Sequence, residues 1–435
     1  MRQDLIRPGA SELSYEIRGI VKKADQLEAA GRQIYWENIG DPIQKNWQIP
    51  GWIKDIVADL AQDDKTYGYS HSMGDKSVRE FLAGQNNDQP DAVSIQADDI
   101  LFFNGLGDGI STLYQFINPT ARIIGPSPAY STHSSGEAAH ANAAPLTYTL
   151  NPANHWYPDM EDLRNQVRYN PNIVGILLIN PDNPTGMVYP LETLKEFVQL
   201  AKEFDLFLIS DEIYGAITYN GAQHHPLAAV IDDVPGIALK GMSKDLPWPG
   251  SRCGWMEFYN RSSDSRFNRL YQTLVNAKML EVCSTTLPQM AIPRVYGDKR
   301  FETYRSETNI KIGERSELIS SFLEDVPYLY FNPTQGAFYN TIIFKPGTLT
   351  HQQTLKIENK AAEKLLESWL TERNMKRDKR FVYYLLAAKG VCVVPISSFC
   401  SDLLGFRVTL LEEDETTLIE TFSRIKEAVI EYCES

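Results

Sequence analysis

Cysteine is scarce in this chain and nowhere paired. Cys253, Cys283, Cys392, Cys400 and Cys433 are odd in number and form no Cys-x-x-Cys unit. That opposes a zinc knuckle or a disulfide framework and suits a reducing compartment. Positive charge is outnumbered: 42 Lys and Arg face 56 Asp and Glu, a formal net charge of −14, with no long basic run. Such a balance works against a surface that neutralises nucleic-acid phosphates or docks on anionic lipid. Long apolar stretches are missing as well. None reaches the ~20 residues that span a bilayer, and the polar opening MRQDLIRPGASELSYEIRG lacks the apolar core, about 7–15 residues long, of a secretory signal. The expectation is a cytoplasmic protein with no nucleic-acid or membrane partner. Repeats and low-complexity tracts are absent too.

What is present is ordinary for a globular protein: 435 residues, 43% hydrophobic and 23% charged, enough for two or more domains. Short apolar runs bounded by turn residues alternate with amphipathic segments, the signature of a mainly parallel sheet covered by helices. Strands are predicted at 100–103, 121–125, 173–179, 206–210, 237–240 and 253–258, and helices at 108–117, 159–168, 190–204 and 264–280. Asp159 and Pro190 suit helix starts. Further on the pattern turns α+β, with strands at 337–344, 391–394 and 406–410 and a terminal helix near 414–432. The expected division is an N-terminal segment (1–62) packing with the small domain, a large domain (63–310) and a small C-terminal domain (311–435).

Ligands bind open α/β sheets at the carboxyl ends of their strands, and unusual residues follow one predicted strand after another. The first leads into Asn104-Gly105-Leu106-Gly107-Asp108-Gly109, whose N–H groups suit a phosphate at a helix start; Ile110 breaks the dinucleotide fingerprint. The second leads into Pro126-Ser-Pro128-Ala-Tyr130, an aromatic on a proline-stiffened turn. The third ends in Asn180-Pro-Asp-Asn183-Pro184, presenting an amide, and the fourth in Ser210-Asp211-Glu212-Ile-Tyr214, offering a carboxylate and a phenol. A carboxylate at the end of a buried strand implies a cationic partner. The fifth opens into Gly241-Met-Ser243-Lys244, with Arg252 eight residues beyond the lysine. Pyridoxal phosphate asks for these parts together: an amine, a phosphate cradle, a ring stack, donors to a phenolic oxygen and a carboxylate on the ring nitrogen.

In order and spacing the motifs resemble a fold-type-I pyridoxal-phosphate enzyme of the class I/II aminotransferases, closest to the alanine type, from Ile17 to about Leu410. The resemblance implies a seven-stranded, mainly parallel sheet between helices and a smaller α+β domain. It implies Lys244 as Schiff-base lysine and proton shuttle, and Arg252 as phosphate clamp with Ser243 and the N–H groups of Leu106 and Gly107. Tyr130 stacks on the ring, Asn183 and Tyr214 bond its phenolic oxygen, and Asp211 keeps its nitrogen protonated. In Gly405-Phe-Arg407 the arginine is expected on the substrate carboxylate, with Gly40, Asn183, Tyr15 and Arg18 bordering the pocket. Tyr69, five residues before Gly74, is implied to reach the neighbouring subunit of a homodimer. Departures are Gly241, where many members carry a hydroxyl three residues before the lysine, Pro247-Trp248-Pro249, Cys253 and Pro395–Phe399. The function implied is amino-group transfer between an L-amino acid and a 2-oxo acid. A β-lyase or amino-acid decarboxylase on the same scaffold is the alternative, and a cofactor-binding regulator a third reading. Trp248 is read either as an apolar wall near the pocket mouth or as core.

Overall fold

The computed structural model describes residues 5–13 and 17–435, without the side chain of Ile17. Its strands, in chain order, are Tyr35–Trp36 (β1), Ile100–Phe103 (β2), Arg122–Ser127 (β3), Thr147–Asn151 (β4), Tyr157–Pro158 (β5), Ile173–Ile179 (β6), Phe207–Asp211 (β7), Gly236–Gly241 (β8) and Gly254–Tyr259 (β9). Past the long helix Arg300–Leu323 come Leu329–Phe331 (β10), Tyr339–Phe344 (β11), Val391–Cys392 (β12), Val394–Pro395 (β13) and Gly405–Thr409 (β14).

The large sheet runs β2-β9-β8-β7-β6-β3-β4-β5. It has eight strands, not the seven expected, because the two-residue β5 adds an antiparallel edge to β4. β3, β6, β7 and β8 are mutually parallel, while β9 is antiparallel to both β8 and β2. β2, β3, β6, β7 and β8 therefore all end at one edge. Their near-continuous Val/Ile/Leu character follows from burial on both faces; Ile176, Leu177, Leu178 and Ile179 of β6 are all buried.

Two apolar layers cover the two faces. Helix starts are built as the sequence indicates: Asp159 accepts the N–H groups of Glu161 and Asp162 at 3.1 and 3.0 Å, and Pro190 precedes Leu191–Phe204. A third cluster joins Ile20, Ala24 and Leu27 of the helix Ile17–Ala29 to the C-terminal residues, and β1 pairs in parallel with β12. One strand was expected over 391–394, yet two stand there. Val391–Cys392 takes β1 as its partner and Val394–Pro395 takes β14, so Val393 is where the chain passes from one sheet to another.

Candidate active site

At the end of β2, Gly105 has φ +85°, a conformation glycine adopts without penalty, and caps the helix Leu106–Phe116. The N–H groups of Leu106 and Gly107 stand in its first turn, where no earlier carbonyl of the helix reaches them. Arg252 lies alongside, its Nη2 3.4 Å from the Asn104 carbonyl. A Cβ at Gly105 would run into the guanidinium. An exposed arginine beside the positive end of a helix is an anion cradle.

Tyr130 caps the helix Ser131–Ala141 and meets His133 edge-on, ring centroids 6.2 Å apart. His133 Nε2 lies 3.0 Å from Asp211 Oδ2, and Asp211 Oδ1 accepts the Ile213 N–H at 3.2 Å. Among the described residues the side chain that meets Asp211 is a histidine, which sequence reasoning missed. Its one local signal is the Tyr-x-x-His spacing across a helix start, which places both side chains on the first turn.

Asn183, after β6, accepts Arg407 Nη1 on Oδ1 at 3.2 Å, which leaves Nδ2 as a donor. Tyr214 is buried, its hydroxyl 3.2 Å from that of Tyr339. Burial, reinforced by Tyr339, pushes the Tyr214 phenol well above its usual range, so it persists as an O–H donor. Lys244, in the short helix Met242–Asp245, donates from Nζ to the Gly40 carbonyl at 2.6 Å. Its Nζ also sits 5.4 Å from the Phe338 ring centroid and 5.8 Å from that of Tyr214.

Arg407 lies on β14, between β11 and β13, and is 3% exposed. That is no surface arginine on an edge strand. Nη2 donates to the Asn38 carbonyl at 3.0 Å, and the guanidinium carbon lies 4.3 Å from the Tyr339 ring and 5.1 Å from Phe399. Nε is buried with no hydrogen-bond partner. Two residues along the strand, Thr409 donates to Glu37 at 2.8 Å, and Lys45 ties Glu37 to Glu412 at 3.1 and 2.8 Å. This buried trio fixes the Asn38–Gly40 segment against Arg407. A Cβ at Gly40 would overlap the Tyr339 hydroxyl.

Lys244, Gly40, Asn38, Tyr214, Tyr339, Asn183 and Arg407 are thus one connected set; Tyr130, His133 and Asp211 form a second, and Gly105, Leu106, Gly107 and Arg252 a third, all at the same sheet edge. Ser243 is half-buried beside Lys244. Tyr15 lies outside the described residues. Arg18 is exposed on the helix Ile17–Ala29, and Tyr69 is 88% exposed. Trp248 lines a groove with Tyr67, Tyr69 and Asn104 and packs on the core; no contact takes it to Arg407. A Cβ at Gly241 would stand 3.0 Å from the Cys253 carbonyl, a tight contact that favours glycine there. The atypical Pro395–Phe399 stretch brings Phe399 onto Arg407 and accepts the Ala129 N–H at 2.9 Å, beside Tyr130.

An open α/β sheet with a lysine, a carboxylate–histidine pair and an anion cradle along one edge defines a class of group-transfer enzymes. The family described as aminotransferase class I and II matches residues 38–420, and the chain belongs to it and is a transaminase. An uncharacterised aminotransferase of Methanocaldococcus jannaschii is 50% identical over 432 residues, 99% of each chain. The glutamate-pyruvate aminotransferase of Escherichia coli is 28% identical over 334 residues, 75% of this chain and 79% of that one. Among solved structures, the alanine aminotransferase of Pyrococcus furiosus superposes with a TM-score of 0.84 at 25% identity, covering 98% of this chain and 100% of that one.

Proposed function

We propose that this transaminase moves an amino group between an L-amino acid and a 2-oxo acid with pyridoxal phosphate as cofactor, Lys244 being the amine that anchors it. The observation that carries this is the convergence on one sheet edge of Lys244, the Asp211–His133 pair and the Gly105–Arg252 cradle. The donor set fits the group. First-turn N–H groups and Arg252 suit a phosphate, Asp211 suits a protonated ring nitrogen and Tyr130 stands ready to stack. Bound there, the cofactor supplies an aldehyde for the amino group and a ring that takes up the electrons left when the α-proton departs.

The chain's own residues do the rest. His133 holds the Asp211 carboxylate in place. Asn183 Nδ2, fixed by Arg407, and the Tyr214 hydroxyl, once it turns its proton away from Tyr339, are the donors. Arg407 offers its unpartnered Nε and its remaining Nη protons to the substrate carboxylate, and Tyr339 and Phe399 exclude water from that ion pair. Lys244 Nζ carries the proton taken from the α-carbon, leaving its bond to the Gly40 carbonyl to do so. Alanine and glutamate are the first pair to try, a choice supported by the names of the relatives. The Tyr67, Tyr69, Leu280 and Val282 side chains, all exposed, support a homodimer in which Tyr69 completes the neighbour's site. The divisions near residues 62 and 310 belong to the same reading.

The purified protein should carry the absorbance band of a lysine-bound cofactor, and Lys244→Ala should abolish both that band and turnover. L-Alanine or L-glutamate should yield one equivalent of 2-oxo acid per site and no ammonia. Ammonia release with pyruvate, or carbon dioxide release, would replace transamination with the lyase or decarboxylase reading.

A further inference from the structure

A second cavity, of about 1040 Å³, touches none of these catalytic side chains. It lies between the helices Lys76–Asn87 and Arg300–Leu323 and the chain leaving β7 and β8. Strand alternation creates it: Asp211 faces the reaction site, so Glu212 faces the other way. Within its wall, Lys240 donates to Glu257 at 2.8 Å, and Glu257 also accepts Trp255 Nε1 at 3.0 Å and the Tyr259 hydroxyl at 2.6 Å. That carboxylate is satisfied.

Glu212 is satisfied only in part. Its Oε1 accepts the Leu227 N–H at 2.6 Å, while Oε2 has no close hydrogen-bond partner. Lys240 makes a long ion pair with Oε2 at 3.8 Å, Ser210 also acts on the carboxylate, and the residue is only 4% exposed. Two further lining residues end in a buried unpartnered atom, His224 at Nε2 and Asn309 at Oδ1. Burial and Lys240 push His224 down to about 3, and its ring bonds the backbone carbonyl of Asn180. The ring proton therefore faces Asn180, and Nε2 is an acceptor. Asn309 spends Nδ2 on the Ala216 carbonyl at 3.0 Å, leaving its oxygen.

These are the buried side-chain atoms without partners that line the cavity among the described residues, and each is an acceptor. They gather about one turn. A Cβ on Gly215 would touch His224 and the Glu212 carbonyl, while Ala216 bonds both Asn309 and, at 3.4 Å, Asp245. A buried acceptor left unfilled keeps its full desolvation cost. The wall carries six acidic side chains, Glu212, Asp245, Glu257, Glu302, Glu314 and Glu317, against the two cations Lys240 and Arg305, so the balance opposes an anion. A bare metal ion lacks its cage, since no group of three His, Cys, Asp or Glu with metal-binding geometry exists among the described residues. A cation bearing N–H protons answers both the charge and the acceptors, and Phe81, Trp255, Tyr296 and Phe301 on the same wall suit a carbon skeleton behind it.

We propose that this cavity binds a protonated amine, whose ammonium donates to Glu212, His224 and Asn309 while its carbon chain lies on the aromatic wall. The site is distinct from the transamination site yet shares its backbone: Gly215 follows Tyr214 and Asp245 follows Lys244. Either a free ammonium ion or an organic amine carries the required chemistry.

The test is calorimetric titration of the holoenzyme, reduced with borohydride so that Lys244 cannot react with amines, using 1,4-diaminobutane, ammonium chloride and tetramethylammonium chloride at equal ionic strength. The diamine should bind saturably, one per chain, and roughly tenfold or more weakly in Glu212→Gln and in Asn309→Ala. Tetramethylammonium, charged but without N–H, should not bind. Circular dichroism checks the fold of Glu212→Gln, and Asn309→Ala, on the outer helix, carries the test if that variant is unstable. Saturation by ammonium chloride with the same losses supports the site with the free ion as occupant. No saturable binding of either amine, equal binding of tetramethylammonium, or affinities unchanged in folded variants overturns the proposal.

Discussion

At the scale of single residues, Arg407 shows how much a side chain owes to what surrounds it. Two of its bonds hold it to Asn183 and Asn38, and the aromatic rings on either side fix the plane that remains for a carboxylate. Lysine has neither the fork nor the plane. Arg407→Lys should therefore raise KM for the amino acid by about 10–100-fold, the worth of one or two charge-assisted hydrogen bonds. Steady-state kinetics at pH 8 check this, and an unchanged KM would remove Arg407 from the carboxylate site. Asp182 gives a pH expectation. Burial lifts its carboxyl from 3.8 to about 7, with Asp211 adding to the rise and Thr185 opposing it. The folded state thus holds a proton that the unfolded state has lost, so this contribution to stability is full below pH 3.8 and disappears as pH rises through about 7. Between pH 5 and 8 the loss should be on the order of 1–4 kcal/mol. In urea titrations Asp182→Asn should flatten that slope in part, because Asp245, also lifted by burial to about 7, keeps the same sign. A slope as steep as the wild type's would contradict it.

At the scale of elements, what was legible is what local sequence encodes. β2 and β6 stand at the predicted residues because each is an apolar run closed by a turn, and the helix Met160–Tyr169 starts where Asp159 announced it. That cap is testable: Asp159→Ala leaves two N–H groups without their acceptor and should cost about 1 kcal/mol in chemical denaturation, with little effect on turnover. A loss of turnover without loss of stability would mean the helix does more than hold β4 and β5. Other elements were hidden for physical reasons. β4, Thr-Tyr-Thr-Leu-Asn, is an outer strand with mixed exposure, and the helix Arg377–Lys389 is buried on so many sides that it carries no clean 3.6-residue stripe. The site divides in the same way. Lys244, Arg252, Asp211 and Asn183 were legible because each follows an apolar strand in a fixed order. His133 and Tyr339 were not, because each is defined by a partner 78 or 125 residues away in sequence, and Trp248 lines a groove beside Tyr69.

At the scale of the whole molecule, Tyr69 raises the question of whether one chain is a complete catalyst. It is exposed at the groove that Trp248 and Asn104 line, five residues before Gly74, and in the proposed dimer it is the second copy's Tyr69 that reaches the Arg252 cradle. If sites are shared in that way, damage in one chain can be separated from damage in the other. A mixed dimer of Lys244→Ala with Tyr69→Ala has one site that lacks both residues and one that has Lys244 from one chain and Tyr69 from the other, and so lacks neither. Refolding an equimolar mixture should make about half the dimers mixed, each with one intact site, and restore about a quarter of wild-type activity from two poorly active parents. Sedimentation equilibrium should give twice the chain mass for all three preparations. If Tyr69 acts within its own chain, each mixed dimer instead holds one site without Lys244 and one without Tyr69, and the mixture should show only the average of its parents.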